Sequence, residues 1–300
     1  MLTELVSALK EEQLPFLENE PLSAHTSFKI GGPAAVFCCP QTLPELTRTI
    51  ELCRLQGVRT YLLGNGTNTL FSDAGFPGAV ISLMEFRSHL TVSADGTVCA
   101  GAGTALVQVC RAALEHHMTG LEFAYGIPGT VGGAVYMNAG AYGGEMKQIL
   151  RQVSFLDENL HLCTLPADEL ALGYRTSVFE TKPWCILEAV FCLKPGDPKA
   201  IEERMRDLLQ RRKDKQPLEM PSAGSTFKRP EGAFAGKLIE ECGLRGFRVG
   251  GAQISEKHCG FVVNCGGATC ADVVSLTEQV RSIVQEKTGF CLEREIRVVE

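Results

Sequence analysis

Leu5, Val6 and Leu9 recur on one face of a helical repeat, so the hydrophobic pattern opens with a helix over 3–12. An apolar run over 34–39 reads as a strand. The pattern over 43–55 then returns to a helical period, with Pro44 in the first turn, where a fixed φ is tolerated. Strands follow over 60–63, 79–83 and 97–100, and a helix over 105–117. Pairs of strands are predicted within 151–164 and 185–194. Pro195-Gly196-Asp197-Pro198 interrupts the pattern, and a charged helix over 199–213 begins a second unit. A polar loop over 222–230, helices over 235–241 and 272–286, and an alternating strand over 294–299 complete a mixed α+β chain. The expected division is 1–195, in two lobes of about 1–80 and 81–195, followed by 196–300.

Two glycine-rich stretches depart from this regularity. Gly126-Ile127-Pro128-Gly129-Thr130-Val131-Gly132-Gly133-Ala134-Val135-Tyr136-Met137-Asn138-Ala139-Gly140-Ala141-Tyr142-Gly143-Gly144 carries too much backbone freedom for a regular helix or strand. Successive amide N–H groups in such a run can form a concave nest for an anion. Val131, Val135, Tyr136 and Met137 would add apolar contacts suited to a flat ring. A flexible linker is the plain alternative, but linkers rarely mix glycine with so many large apolar residues. Gly64-Asn65-Gly66-Thr67-Asn68 follows a short apolar strand. Together the two stretches suggest two loops gripping one phosphate-bearing cofactor. Neither is a dinucleotide fingerprint: the run from Gly101 lacks a third glycine, and no acid follows at the expected distance. Gly232 to Lys237 is one residue short of a P-loop and has Leu238 where a hydroxyl must hold magnesium.

The 300 residues imply two or three lobes, and 45% hydrophobic with 21% charged residues fits a globular chain. A net charge of −6 argues against broad nucleic-acid binding. The first twenty residues have no apolar signal core, and no run is long enough to span a membrane. The expectation is a cytoplasmic protein whose 13 cysteines stay reduced. No Cys-x-x-Cys occurs, and the spacing of His258, Cys259, Cys265 and Cys270 fits no common zinc pattern, so no metal is expected. The Asn65-Gly66-Thr67 sequon has no meaning in that compartment.

Three further places could carry chemistry. Gly173-Tyr174-Arg175-Thr176-Ser177-Val178-Phe179 sets a guanidinium among apolar and hydroxyl groups, where its planar fork could hold a carboxylate or phosphate; a surface arginine in a turn is the alternative. Ser222-Ala223-Gly224-Ser225-Thr226-Phe227-Lys228-Arg229-Pro230 places Ser225 near two cations, without a nucleophile elbow; a turn or capping serine is the alternative. In Leu292-Glu293-Arg294-Glu295-Ile296-Arg297, strand alternation puts Glu293 and Glu295 on one face. A carboxylate facing inward is costly unless paired or used, and both could instead face water. His25, His116, His117 and His161 fall in no triad or ligand set.

These motifs, in this order and with His25-Thr26-Ser27-Phe28-Lys29-Ile30-Gly31-Gly32-Pro33-Ala34 before them, resemble the UDP-N-acetylenolpyruvoylglucosamine reductase (MurB) family over nearly the whole chain. The resemblance implies an α+β fold: a two-lobed PCMH/VAO-type FAD-binding unit and a C-terminal α+β substrate-binding domain. It implies an NADPH-dependent flavoenzyme that reduces a UDP-sugar enolpyruvyl ether in peptidoglycan synthesis. It assigns the catalytic arginine to Arg175, the proton donor to Ser225 and the catalytic glutamate to Glu295, with Glu293 a rival. It assigns FAD contacts to Gly64, Asn65, Gly66, Thr67, Asn68, Gly126, Pro128, Gly129, Thr130, Gly132, Gly133, Asn138 and Gly140. Substrate contacts fall to Tyr142, Arg175 and Lys228, with Lys228 also expected to assist Ser225. The short link from the glycine run to Arg175 resembles type II members, so no extra substrate tyrosine is assigned. Another FAD-dependent reductase or oxidase of the same fold, or a non-catalytic binder of FAD or a UDP-sugar, is the competing reading.

Overall fold

A computed structural model describes residues 1–86 and 89–300. The first sheet has the order Phe16–Pro21, Pro33–Cys38, Phe76–Ser82, Thr60–Leu63; its first pair is antiparallel and the others parallel. The Leu43–Leu55 helix begins where Thr42 accepts the Glu45 N–H at 3.4 Å, and it buries Leu46, Ile50, Leu52 and Cys53. This cap satisfies an amide that the helix cannot satisfy internally.

The second sheet is antiparallel, with the order Leu162–Pro166, Leu150–Leu156, Cys185–Cys192, Thr97–Gly101, Leu90–Val92. One core runs through both lobes, from Leu5 and Leu46 to Phe155 and Phe191. The Pro198–Lys215 helix, capped by Asp197 onto the Ala200 N–H at 3.2 Å, adds Ile201 and Met205 to that same core. The interruption at 195–198 is therefore a capped helix start on the first body. By packing, the C-terminal body begins after this helix, later than the expected residue 196.

That body pairs Arg248–Val249, Ala252–Ile254 and Val262–Asn264 with the Ala235–Glu241 and Cys270–Thr288 helices. The longer helix buries Val273, Leu276, Val280 and Val284, and Gly289 ends it in the left-handed region (φ 78°). Phe28, Ile30 and Leu70 from the first lobe enter this core. Asp73 caps the same helix from the first lobe, accepting the Cys270 and Ala271 N–H groups at 2.7 and 3.0 Å. The chain end returns to the first lobe, where Arg297–Val299 runs parallel to Thr69–Phe71.

Two local expectations change. The glycine run is not devoid of regular structure: Val131–Tyr136 is a helix capped by Thr130, and Gly140–Ala141 pairs with Gly144–Glu145. Packing overrides intrinsic propensity here, because a Cβ on Gly132 would lie 2.9 Å from Ala102 Cβ. The closing strand is also shorter than 294–299: residues 292–296 are pulled from regular pairing by contacts to the Ser225 segment.

Candidate active site

The Ser225 loop is held on both sides. Thr226 donates its N–H to Gly260 O at 2.8 Å, and its hydroxyl accepts the Val262 N–H at 2.9 Å. On the other side Glu295 N–H meets Thr226 O at 2.8 Å, and Lys228 N–H meets Glu293 O at 2.9 Å. Ser225 and Glu295 are thus fixed relative to one another by backbone alone. The Ser225 hydroxyl is half-buried and has no hydrogen-bond partner among the described residues.

Arg175 comes from the other body, on a turn closed between Gly173 and Thr176. Its φ of 59° is a left-handed conformation that a bulky residue seldom adopts, and such strain collects at functional positions. Its Nε lies 2.9 Å from Oε1 of Glu295, while Nη2 donates to Gly140 O at 3.0 Å. The Nε–H is not aligned on any acceptor, so the contact with Glu295 is one of charge rather than a formed hydrogen bond. The side chains are 20% and 9% exposed. Burial pushes the Glu295 carboxyl above its ordinary value, with Arg175 and then Lys228 pulling it back.

Glu293 does not share this environment. It is 71% exposed and takes the Lys228 ammonium at 2.6 Å. Alternation fails because this stretch is not yet strand. Lys228 is therefore paired with Glu293, not with Ser225 as expected.

Tyr174, Arg175, Ser225, Phe227 and Glu295 line a cavity of about 430 Å³ between the two bodies. Tyr174 Oη accepts the Arg229 N–H across it at 3.0 Å. Its far wall adds Lys237, Arg245, Lys257 and His258 beside Glu240; cations outnumber the acid there, which suits a polyanionic ligand. His258 accepts the Gly260 N–H on Nδ1, and burial holds its pKa down. Lys237, Arg245 and Lys257 come from separate segments, so no motif spacing could have announced them.

A second cavity, of about 290 Å³, is lined by His25, Thr26, Ser27, Lys29, Gly64, Asn65, Ser82 and Met84. The two glycine loops meet beside it. Asn65 Nδ2 donates to Pro128 O at 2.8 Å, and a Cβ on Gly64 would lie 2.8 Å from Thr130 Oγ1. Gly66 (φ 58°) approaches so closely that a Cβ would fall 2.1 Å from His25 O. In the second loop several amides are used within the fold. The Val131 and Gly132 amides are taken by Thr104 O and Ala102 O, and Gly133 N–H reaches Thr130 Oγ1. In the first loop the amides of Gly64, Asn65, Gly66 and Thr67 have no acceptor among the described residues. Buried Thr104 Oγ1 and Arg212 Nε are also unpartnered. Arg212, which sequence reading missed, packs on Gly126, where a Cβ would touch its Cδ at 3.1 Å. Free amides, close glycines and orphaned polar atoms are what a large phosphate-bearing cofactor would require.

The other expected contacts fall at differing places. Gly129 O accepts the Leu106 N–H, and Asn68 Nδ2 donates to Glu295 O at 3.1 Å, steadying the Glu295 segment. Asn138 is fully buried: its amide donates to Glu145 and Gly173 O, and its carbonyl accepts the Lys147 N–H. It supports the Arg175 turn and has no donor left for a ligand. Tyr142, exposed at φ 54°, lies at a hairpin tip on the side of Arg212.

Comparison with known proteins agrees with this geometry. Residues 33–164 match a family described as FAD binding domain, and residues 216–299 match UDP-N-acetylenolpyruvoylglucosamine reductase, C-terminal domain. The chain is similar to the UDP-N-acetylenolpyruvoylglucosamine reductase of Caldanaerobacter subterraneus subsp. tengcongensis, 47% identical over all of this chain and 98% of that one. The crystal structure of the reductase (MurB) from Thermus caldophilus superposes with a TM-score of 0.79 and 35% identity, covering 96% of this chain and 99% of that one. Physcomitrella patens BBE-like 1 shares the fold alone, at 16% identity and a TM-score of 0.52 over 64% of this chain and 44% of that one.

Proposed function

The chain belongs to the UDP-N-acetylenolpyruvoylglucosamine reductase family, and we propose that Arg175, Ser225 and Glu295 carry its reaction in the cavity between the two bodies. The reaction is the NADPH-dependent reduction of UDP-N-acetylglucosamine-enolpyruvate to UDP-N-acetylmuramate, a step of peptidoglycan synthesis. FAD, when bound, would supply to the enolpyruvyl double bond a hydride taken from NADPH. The glycine loops at 64–68 and 126–133 and Arg212, with its buried and unpartnered Nε, are the residues that would hold it.

The chain's own part follows from charge. Hydride addition at C3 drives negative charge onto the substrate carboxylate. The Arg175 guanidinium can bind that carboxylate, its Nε–H being unaligned on any protein acceptor. Glu295, held toward its neutral form by burial, can donate a hydrogen bond to the same group. Ser225 Oγ–H then gives its proton to C2 and recovers one from solvent. Its hydroxyl has no competing acceptor, which leaves it free to face a ligand. The cations at Lys237, Arg245 and Lys257 suit the diphosphate of a UDP-sugar.

The observation that carries this reading is the Arg175–Glu295 contact in one cavity with an unpartnered Ser225 hydroxyl. Separate half-reactions test it. Ser225→Ala should leave flavin reduction by NADPH intact and slow substrate-driven reoxidation by about two to four orders of magnitude, the scale of general-acid catalysis. Unchanged reoxidation would remove Ser225 from the mechanism.

Among the described residues no helix is long and apolar enough to cross a membrane. We place the chain in the cytoplasm, where 13 free cysteines stay reduced. We assign it no nucleic-acid partner, on its net charge of −6.

A further inference from the structure

We propose that His89, Cys99 and Glu188 form a zinc site on the outer face of the second sheet, apart from the reductase machinery. The register creates it. Gly101 on the Thr97–Gly101 strand lies opposite Glu188, and its N–H bonds His89 O at 3.0 Å on the other side. Gly101 has no side chain, so the side chains flanking it can meet over its backbone. Cys99, two residues earlier on the same strand, projects from the same face, because Val98 and Ala100 between and beside it are fully buried on the core face.

The three donor atoms have already converged. His89 Nε2 lies 2.5 Å from Glu188 Oε2 and 3.3 Å from Cys99 Sγ, and all three atoms lie within 4.8 Å of one another. Imidazole, thiolate and carboxylate together are a zinc donor set, not one for calcium or magnesium. Zinc bonds of about 2.0–2.3 Å in a tetrahedron put ligand atoms roughly 3.3–3.7 Å apart. The sulfur already stands at that separation from His89. The imidazole and carboxylate must part by about 1 Å, which His89 can do, being 54% exposed at the sheet edge. Three protein donors leave one position for water. The ion would tie the edge strand Leu90–Val92 to the two strands inside it. Separations of 10 and 89 residues match no zinc motif, which is why reading the sequence did not find it.

The test uses the full-length flavoprotein, stripped of metal by a chelator and titrated with zinc chloride by calorimetry. The expected result is one zinc ion per chain, with affinity lowered about a hundredfold or more by Cys99→Ser and by His89→Gln. Cys192→Ser and Cys291→Ser, at exposed thiols elsewhere, should leave it unchanged. Zinc-edge X-ray absorption should show one sulfur at about 2.3 Å among lighter neighbours, lost in Cys99→Ser. None of the three side chains belongs to a core, so these variants should melt near the wild-type temperature; Glu188→Gln is the reserve variant. Absence of stoichiometric zinc, or binding equally tight in the Cys99 and His89 variants, would overturn the proposal.

Discussion

Gly132 and Gly133 are neighbours on one short helix, yet alanine should act oppositely at the two. A Cβ on Gly132 would sit 2.9 Å from Ala102 Cβ and 3.2 Å from Ala102 O, so the helix and the turn after the Thr97–Gly101 strand must part. Overpacking of that kind costs about 1–3 kcal/mol, offset by up to about 1 kcal/mol of helix propensity. The net loss is about 0–2 kcal/mol. A Cβ on Gly133 would meet only Thr130 Oγ1, at 3.5 Å, an ordinary contact, and the residue is exposed. There the propensity gain stands alone, up to about 1 kcal/mol, or roughly 2–4 °C in Tm. Among the described residues nothing requires glycine at 133; a ligand pressed against its backbone would. Gly133→Ala should therefore keep or raise the Tm of FAD-free protein while weakening FAD binding tenfold or more, about 1.4 kcal/mol. Thermal melts without FAD and a flavin-fluorescence titration measure the two quantities. Unchanged FAD affinity in Gly133→Ala would refute the argument that the exposed glycine lies under the cofactor.

Glu295→Gln should change how stability depends on pH. The folded carboxyl holds its proton to higher pH than the unfolded one, whose ordinary value is 4.5. Wild-type stability is therefore fully present below that value and is lost as pH rises through the folded value. Melts from about pH 4 to about pH 8 should show the Gln variant gaining on wild type as pH rises; a constant difference would mean that Glu295 titrates normally. The same ionisation should lower kcat at high pH, and the variant should lose about 10²–10³ in turnover, the scale for one lost transition-state donor. Asn138→Ala should cost about 2–4 kcal/mol by orphaning Gly173 O and the Lys147 N–H, and should lower kcat through the Arg175 turn. A normal melt in that variant would contradict its structural role.

Much of the fold was legible because periodicity reports burial. The Leu43–Leu55 and Ala235–Glu241 helices and the Thr60–Leu63 strand have the bounds the pattern predicts. Reading failed where tertiary contact outweighs local preference. The Val131–Tyr136 helix forms despite two glycines because Ala102 demands close approach. The Pro198–Lys215 helix looked like the start of a new unit, since nothing local tells which core will take Ile201 and Met205. In the site, Arg175, Ser225 and Glu295 were named from motifs, but their meeting in one cavity depends on long-range pairing. Arg212 and the far cationic wall carry no local signal. Asn138 shows the reverse: a residue expected from its motif to contact FAD, whose side-chain polar atoms are all used within the fold.

The proposed function requires FAD held by the glycine loops to deliver its hydride to an enolpyruvyl UDP-sugar in the cavity of Arg175, Ser225 and Glu295. An anaerobic visible spectrum of the purified protein tests it most directly. The flavin band should bleach with NADPH and return on adding UDP-N-acetylglucosamine-enolpyruvate. A band that bleaches and does not return with that substrate, or a protein that takes up no FAD, would contradict it.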